Sequence, residues 1–227
     1  MANNIHRTAI IEGDVELGDS NEIGAYSVLI GPLKLGNDNI IGPHVCIGTP
    51  GQDTKNPRYD SSAKRVEIGH SNIIREHTAI QKPIDTDVTR LGSRNYLMHS
   101  VHIPHDARIA DDVTITPMCA LAGNAKLLSG ANLGLSVSVH QHSVIGHYSM
   151  IAMNVAVTKN LRPFAKLIPG KPLSVNAYAV KKFGFQEYAQ EITDYVEKLI
   201  APRATSVKLL VDEFESLHQK SGRGLYA

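Results

Sequence analysis

The stretch "LMHSVHIPHD", Leu97 to Asp106, places three histidines within ten residues, and the last, His105, is followed directly by a carboxylate. Six of the chain's eleven histidines lie between His99 and His147. Imidazole titrates near neutrality, so such a cluster has two uses. Three neutral imidazoles with an open fourth position hold zinc and make a hydratase site. A single imidazole oriented by a carboxylate takes a proton from an attacking hydroxyl or amine, and His105 with Asp106 has that form. The choice depends on the backbone that carries these residues.

That backbone is written in a period of six. Stepping from Ile5 gives Ile11, Leu17, Ile23 and so on to Ile47; the series resumes at Ile68, Ile74 and Ile80, and again from Leu91 to Val157, for 23 sites that are all Ile, Leu or Val. A period of six fits neither an α-helix nor a plain amphipathic strand. It fits short strands joined by turns, each strand turning one aliphatic residue inward: the hexapeptide pattern of a parallel β-helix. Glycine often follows the inward site, as at Gly18, Gly36 and Gly134, and is expected to relieve the turn backbone. Three hexapeptides make one coil, which predicts about 7 to 8 coils and a prism ~35 Å tall. Two gaps in the series predict projecting loops at 49–65 and 81–90, and long loops on a rigid scaffold tend to carry function.

After Val157 the pattern is expected to stop. "PFAKLIPGKPL" reads as a linker, and three helical segments follow, broken at Gly184 and at "APRAT". The division expected is a β-helical domain over 1–165 and a linker with a small C-terminal helical domain over 166–227. Those helices would cap the last coil, which otherwise offers open strand edges.

Bulk composition excludes several classes. Apolar residues make up 42% and charged residues 20%, ordinary globular values. The formal net charge of +1 gives no nucleic-acid footprint. Two cysteines supply neither a disulfide framework nor a zinc pattern. No signal peptide and no apolar run of about 18 residues is evident, so a cytoplasmic protein without a membrane span is expected. With no Trp and 5% aromatics, the core must be built from small and branched aliphatics.

The repeat also places the histidines. His102 precedes the inward site Ile103, His105 lies two residues after it, and His140 follows the inward site Val139. Ile103 and Val139 are two coils apart, so all three histidines share one side of the prism within ~10 Å of its height. None points into the core. Both the metal and the general-base chemistry remain open at this level.

The segments "NYLMHSVHIPHD", "ALAGNAKL", "VHQHSVIG", "IGTPGQDTK" and the terminal "SGRGLYA" closely resemble the UDP-N-acetylglucosamine acyltransferases, across nearly the whole chain. The resemblance implies a left-handed parallel β-helix with a small C-terminal α-helical domain, assembled as a homotrimer. It implies the first step of lipid A synthesis: transfer of a 3-hydroxyacyl chain from acyl carrier protein to the 3-hydroxyl of a UDP-linked N-acetylglucosamine. No resident cofactor or metal is implied, since the phosphopantetheine belongs to the carrier protein. By the same resemblance His105 is the general base, Asp106 its orienting carboxylate, and the Gly123 N–H the oxyanion donor. His102 lines the sugar site, and His140 with Gln141 lines the cleft. In the first loop Gln52 and Asp53 face the sugar nucleotide and Lys55 the donor. Asn176 contacts nucleotide or pantetheine, and Lys182 stands where the family has a phosphate-binding Arg, without its bidentate fork. Lys55, Arg58, Lys64, Arg65, Lys181 and Lys182 are candidates for meeting an acidic carrier protein.

Several positions depart from the family pattern. Asn124 and Gln81 each replace a His bordering the sugar nucleotide. The N-terminal prism is one coil shorter, and the linker before Asn176 is about three residues shorter. Met153 occupies the acyl-chain ruler, where Gly admits long chains, which predicts a medium or short acyl donor. These departures open a second reading: an O- or N-acyltransferase for another nucleotide-linked amino sugar in O-antigen or related glycan synthesis.

Overall fold

The computed structural model describes residues 2–227. Its body is a three-sided prism of short parallel strands. The first face has ten strands, from Asn4–Ile5 to Ser174–Val175, the last running antiparallel to Ala165–Leu167. The second face has eight, from Ile10–Glu12 to Ala156–Val157, and the third seven, from Val15–Leu17 to Val144–Ile145. This is the left-handed β-helix architecture.

The core is the hexapeptide series itself. From Ile23 onward the inward sites are almost fully buried and stacked in register, as in Ile80 on Ile103 and Leu121 on Val139. Ile5 and Ile11 are the exception, 41% and 37% exposed, because no coil lies beneath the first one.

The pattern does not stop at Val157. Leu161 bridges Ile145, and Leu167 pairs with Ile151, so the coil continues with a shortened third side. Glycine has a different role from the one expected. The left-handed corner conformation falls to non-glycine residues such as Asp38 (φ 59°) and Asp112 (φ 59°). The repeat glycines are needed for close stacking instead: a Cβ on Gly36 would meet Gly69 O at 2.5 Å. The second insertion is also tighter than expected. Strands Ala79–Gln81 and Val88–Leu91 leave only 82–87 outside the sheets, whereas the first loop runs between Cys46–Thr49 and Arg65–Ile68.

The C-terminal part forms α1 (Ala177–Lys182), a 3-10 turn at Gln186–Tyr188, α2 (Ala189–Lys198) and α3 (Thr205–Ser221). Ile192, Val196, Val207 and Phe214 are buried, so these helices cover the top coils. The tail then turns back. Asn160 N donates to Gly224 O and Tyr226 N to Asn160 O, making residues 224–226 a short edge beside the last coil. No helix among the described residues is long and apolar enough to cross a membrane.

Candidate active site

The corner joining the second face to the third carries the chemistry. Strand His102–Ile103 ends the second face, the chain turns through His105 and Asp106, and Arg108–Ile109 begins the third. Asp106 occupies the left-handed corner position at φ 62° with its carboxylate buried. Its Oδ2 lies 2.7 Å from His105 Nδ1.

The 82–87 loop exists, in physical terms, to hold that carboxylate. The Ile84 and Asp85 amides donate to it at 3.0 Å, the Thr86 amide at 2.6 Å and the Thr86 hydroxyl at 2.7 Å. Consecutive N–H groups curled around one anion form a nest. Ile84 anchors the loop; it is wholly buried and so close to Gly51 that a Cβ there would lie 2.5 Å from Ile84 Cδ1. The Asp106 amide is held in turn by buried Thr89 Oγ1 at 3.0 Å. Burial alone would push the Asp106 carboxyl up, but the hydrogen bonds from His105 and the loop outweigh it and hold the group well below the usual carboxylate range.

An ionised Asp106 fixes the His105 tautomer. Nδ1 carries the proton that Asp106 accepts, which leaves Nε2 as a free base. The His105 pKa is raised above its ordinary 6.5, first by the hydrogen bond to Asp106, with burial opposing and the charges of Asp106, Asp85 and Asp53 adding. His102 moves the other way, lowered by burial and by the nearby His105. One coil above, a Cβ on Gly123 would fall 2.4 Å from His105 Cε1 and 2.6 Å from Nε2. The imidazole therefore lies against the bare Gly123 backbone, whose N–H has no acceptor among the described residues. The arrangement can take a proton at Nε2 and offer an N–H beside it.

The other expected residues divide into two groups. Gln81, His102, Asn124, His140 and Gln141 lie on this corner or the adjoining second face, and the Asp53 charge in the first loop is felt by His105. Gln81 is only 4% exposed, and its Oε1 accepts no hydrogen bond. Gln52, Asp53 and Lys55 are exposed on the loop. Within one chain Met153, Asn176 and Lys182 are elsewhere. Met153 stands 62% exposed in the turn from the first face to the second. Asn176 caps α1, accepting from Ala179 N, and donates to Tyr148 O at 2.8 Å. Lys182 lies on α1 with its ammonium 5.1 Å from the Phe183 ring centre. Of the basic candidates, Arg58 pairs with Asp85, Arg65 with Glu67, and Lys64 binds Ile84 O.

Of the remaining histidines, His142 stays at this corner, its amide donating to Gly123 O at 3.0 Å, while His147 and His99 stand at others. His147 is buried beside Glu213, and His99 stacks edge-on against His77. Among the described residues of one chain, no three histidines converge as a zinc set. Arg223 occupies His140 Nδ1, and the group of possible ligands that does converge among the described residues is Asp85, His105 and Asp106. Asp106 already accepts from five donor groups, which leaves it poorly suited to a cation.

Residues that the sequence did not single out include Asp85, Thr86, Thr89 and Arg223. Asp85 is a junction: its Oδ1 accepts from Asn56 at 3.0 Å and lies 2.7 Å from Arg58, and its Oδ2 lies 3.4 Å from Asn124 Nδ2. A carboxylate in a short insertion beside a His-Asp pair was the available signal.

A hexapeptide prism with an oriented imidazole and an open backbone amide at one corner defines an acyltransferase of the left-handed β-helix class. No family model matches the chain. Curated relatives do: the acyl-carrier-protein–UDP-N-acetylglucosamine O-acyltransferase of Thiobacillus denitrificans is 36% identical, over 82% of this chain and 79% of that protein. The enzyme of that name from Herminiimonas arsenicoxydans is 34% identical, over 80% and 76%. Among solved structures, the UDP-N-acetylglucosamine acyltransferase of Bacteroides fragilis superposes with a TM-score of 0.81 at 26% identity, covering 99% of this chain and 98% of that one. The chain belongs to the UDP-N-acetylglucosamine O-acyltransferase family.

Proposed function

We propose that the protein transfers a 3-hydroxyacyl group of medium or short length from acyl carrier protein to the 3-hydroxyl of a UDP-linked N-acetylglucosamine-type sugar. The observation that carries this reading is the His105–Asp106 pair held against Gly123. His105 Nε2 takes the proton of the sugar hydroxyl as its oxygen attacks the thioester carbonyl. The Gly123 N–H stabilises the resulting oxyanion, a contribution of ~3 kcal/mol for a preorganised donor. Collapse breaks the C–S bond, and the imidazolium returns the proton to the departing thiolate. A thioester is activated enough that no covalent enzyme intermediate is needed.

A groove of ≈ 600 Å³ runs over the second face above His102, lined by Ala120, Ala122, Ser138, His140, Ala156 and Thr158 among others. Its small residues suit an extended acyl chain. Met153 stands at the far corner of that face, and a neighbouring subunit of a homotrimer packed along it would close the groove into a cleft. The test is incubation of purified protein with UDP-N-acetylglucosamine and 3-hydroxyacyl carrier proteins of graded length. Transfer at short or medium length is expected, and none at any length would overturn the proposal.

Asn124 and the covered Gln81 favour one second reading, acylation of another nucleotide-linked amino sugar. The machinery is unchanged, with an amine as a better nucleophile that relies less on His105. Transfer to an amino-sugar nucleotide, with none to UDP-N-acetylglucosamine, would select it.

A further inference from the structure

The terminal Arg223 reaches back across 83 residues to the second face. Its Nε donates to Gln141 O at 2.8 Å, and its Nη2 lies 2.7 Å from His140 Nδ1. No carboxylate pairs with Arg223 among the described residues; the imidazole and one carbonyl take its place.

Its position is built from the other side as well. Asn160, wholly buried in the coil above, receives the tail: its Nδ2 lies 2.7 Å from His218 Nδ1 and 2.7 Å from Ser221 Oγ, and its Oδ1 accepts from Val144 N at 2.7 Å. Ser221 Oγ accepts from Arg223 N at 3.1 Å. The guanidinium is therefore carried to His140 on a fixed segment rather than a free end.

A guanidinium only donates and does not lose its proton in a protein. The nitrogen facing it must hold a lone pair. The other ring nitrogen then carries the proton, and a second proton on the ring would set two cations against each other. We infer that Arg223 is a positioning residue that locks His140 as a neutral imidazole protonated at Nε2, presenting an N–H donor to the groove the ring lines. This assigns the two histidines of the groove opposite duties by one rule. His105 gives Nδ1–H to a carboxylate and keeps Nε2 as a base; His140 receives a guanidinium at Nδ1 and keeps Nε2–H as a donor. His140 would accordingly hold a carbonyl or hydroxyl oxygen of the acyl donor and take no proton from the acceptor. Only that last use rests on the proposed acyl transfer.

The test is the His140 tautomer in the full-length protein labelled with [15N]histidine, assigned by comparison with His140→Gln. Long-range proton–nitrogen correlations at neutral pH are expected to show the Nε2–H form alone in wild type. Arg223→Met should give mixed tautomers, and Arg223→Lys, which restores a cationic donor, should recover the single form. A proton on Nδ1 in wild type would overturn the inference whether or not any variant folds, and so would an unchanged tautomer in a folded Arg223→Met. These outcomes do not depend on turnover, so they are separable from failure of the proposed function. With an acyl donor in hand, Arg223→Met should raise its KM by about 2- to 10-fold, the loss of one neutral hydrogen bond, with kcat little changed. A fall in kcat with KM unmoved would count against the donor role.

Discussion

Gly123 and His105 are packed so closely that no side chain fits between them: a Cβ on Gly123 would lie 2.4 Å from the ring's Cε1. The glycine is required by its neighbour rather than by its own backbone, since Gly123 has no positive φ. Substituting Gly123→Ala keeps the N–H yet pushes the imidazole off its line between Asp106 and the substrate. A displacement of about 1 Å at a reacting centre costs on the order of 10²-fold. We expect kcat to fall by about that factor while the melting temperature of the prism changes little. Steady-state kinetics with thermal melts will check this; near-normal kcat would remove the packing argument.

The pH dependence of turnover follows from the same corner. In the proposed mechanism His105 must be neutral to act as a base, and the hydrogen bond to Asp106, with the charges of Asp106, Asp85 and Asp53, raises its pKa above 6.5. The acidic limb of kcat/KM should therefore lie above that value. Asp85→Asn removes one of the raising charges, so the limb should move to lower pH. The stability sign is fixed too. A raised imidazole pKa contributes stability that is complete below the unfolded value near 6.5 and is lost as pH rises through the folded value. The stability gap between wild type and His105→Gln should accordingly narrow as pH rises. A limb unmoved in the Asp85 variant would show that the charge does not reach the ring.

The aliphatic repeat was legible because one residue type recurs every six positions, and it locates His102, His105 and His140 without any structure. What escaped has a different period or no side-chain signature. The buried asparagines Asn21, Asn39, Asn72 and Asn95 each precede an inward site by two and recur once per coil, so a search in steps of six passes over them. The nest around Asp106 is made of backbone N–H groups, which sequence does not mark. The continuation through Leu161 was hidden because that side of the coil is shortened.

The asparagine column carries a stability prediction. Asn72 Nδ2 donates to Asn39 Oδ1 and to Gly92 O, both at 2.9 Å, and its Oδ1 accepts from Asn95 N at 2.9 Å, with the side chain wholly buried. Asn72→Ala leaves Gly92 O and Asn95 N without partners in a dry corner. The expected loss is about 2–4 kcal/mol, from unsatisfied buried groups in a connected network. Urea unfolding at fixed protein concentration should show it as a lowered midpoint. Because this column runs along a different corner from His105, kcat at low temperature should be retained; loss of kcat in a folded variant would contradict that separation.

Met153 and His105 stand at opposite corners of the second face, whose outward column above His102 is Ala120, Ser138 and Ala156. In the proposed reading the acyl chain lies along these small residues and ends against Met153, a large exposed side chain at the far corner. Shortening it to glycine should admit longer chains rather than improve binding of those already accommodated. Each newly buried methylene is worth ~0.8 kcal/mol, about a fourfold gain in kcat/KM per carbon up to the new limit. Competition among 3-hydroxyacyl carrier proteins of graded length should therefore move the optimum of Met153→Gly upward while kcat/KM for the wild-type optimum stays within a few-fold. If the ranking of lengths were identical in the two proteins, Met153 would be ordinary corner packing, and the chain would have to end against another residue of the groove.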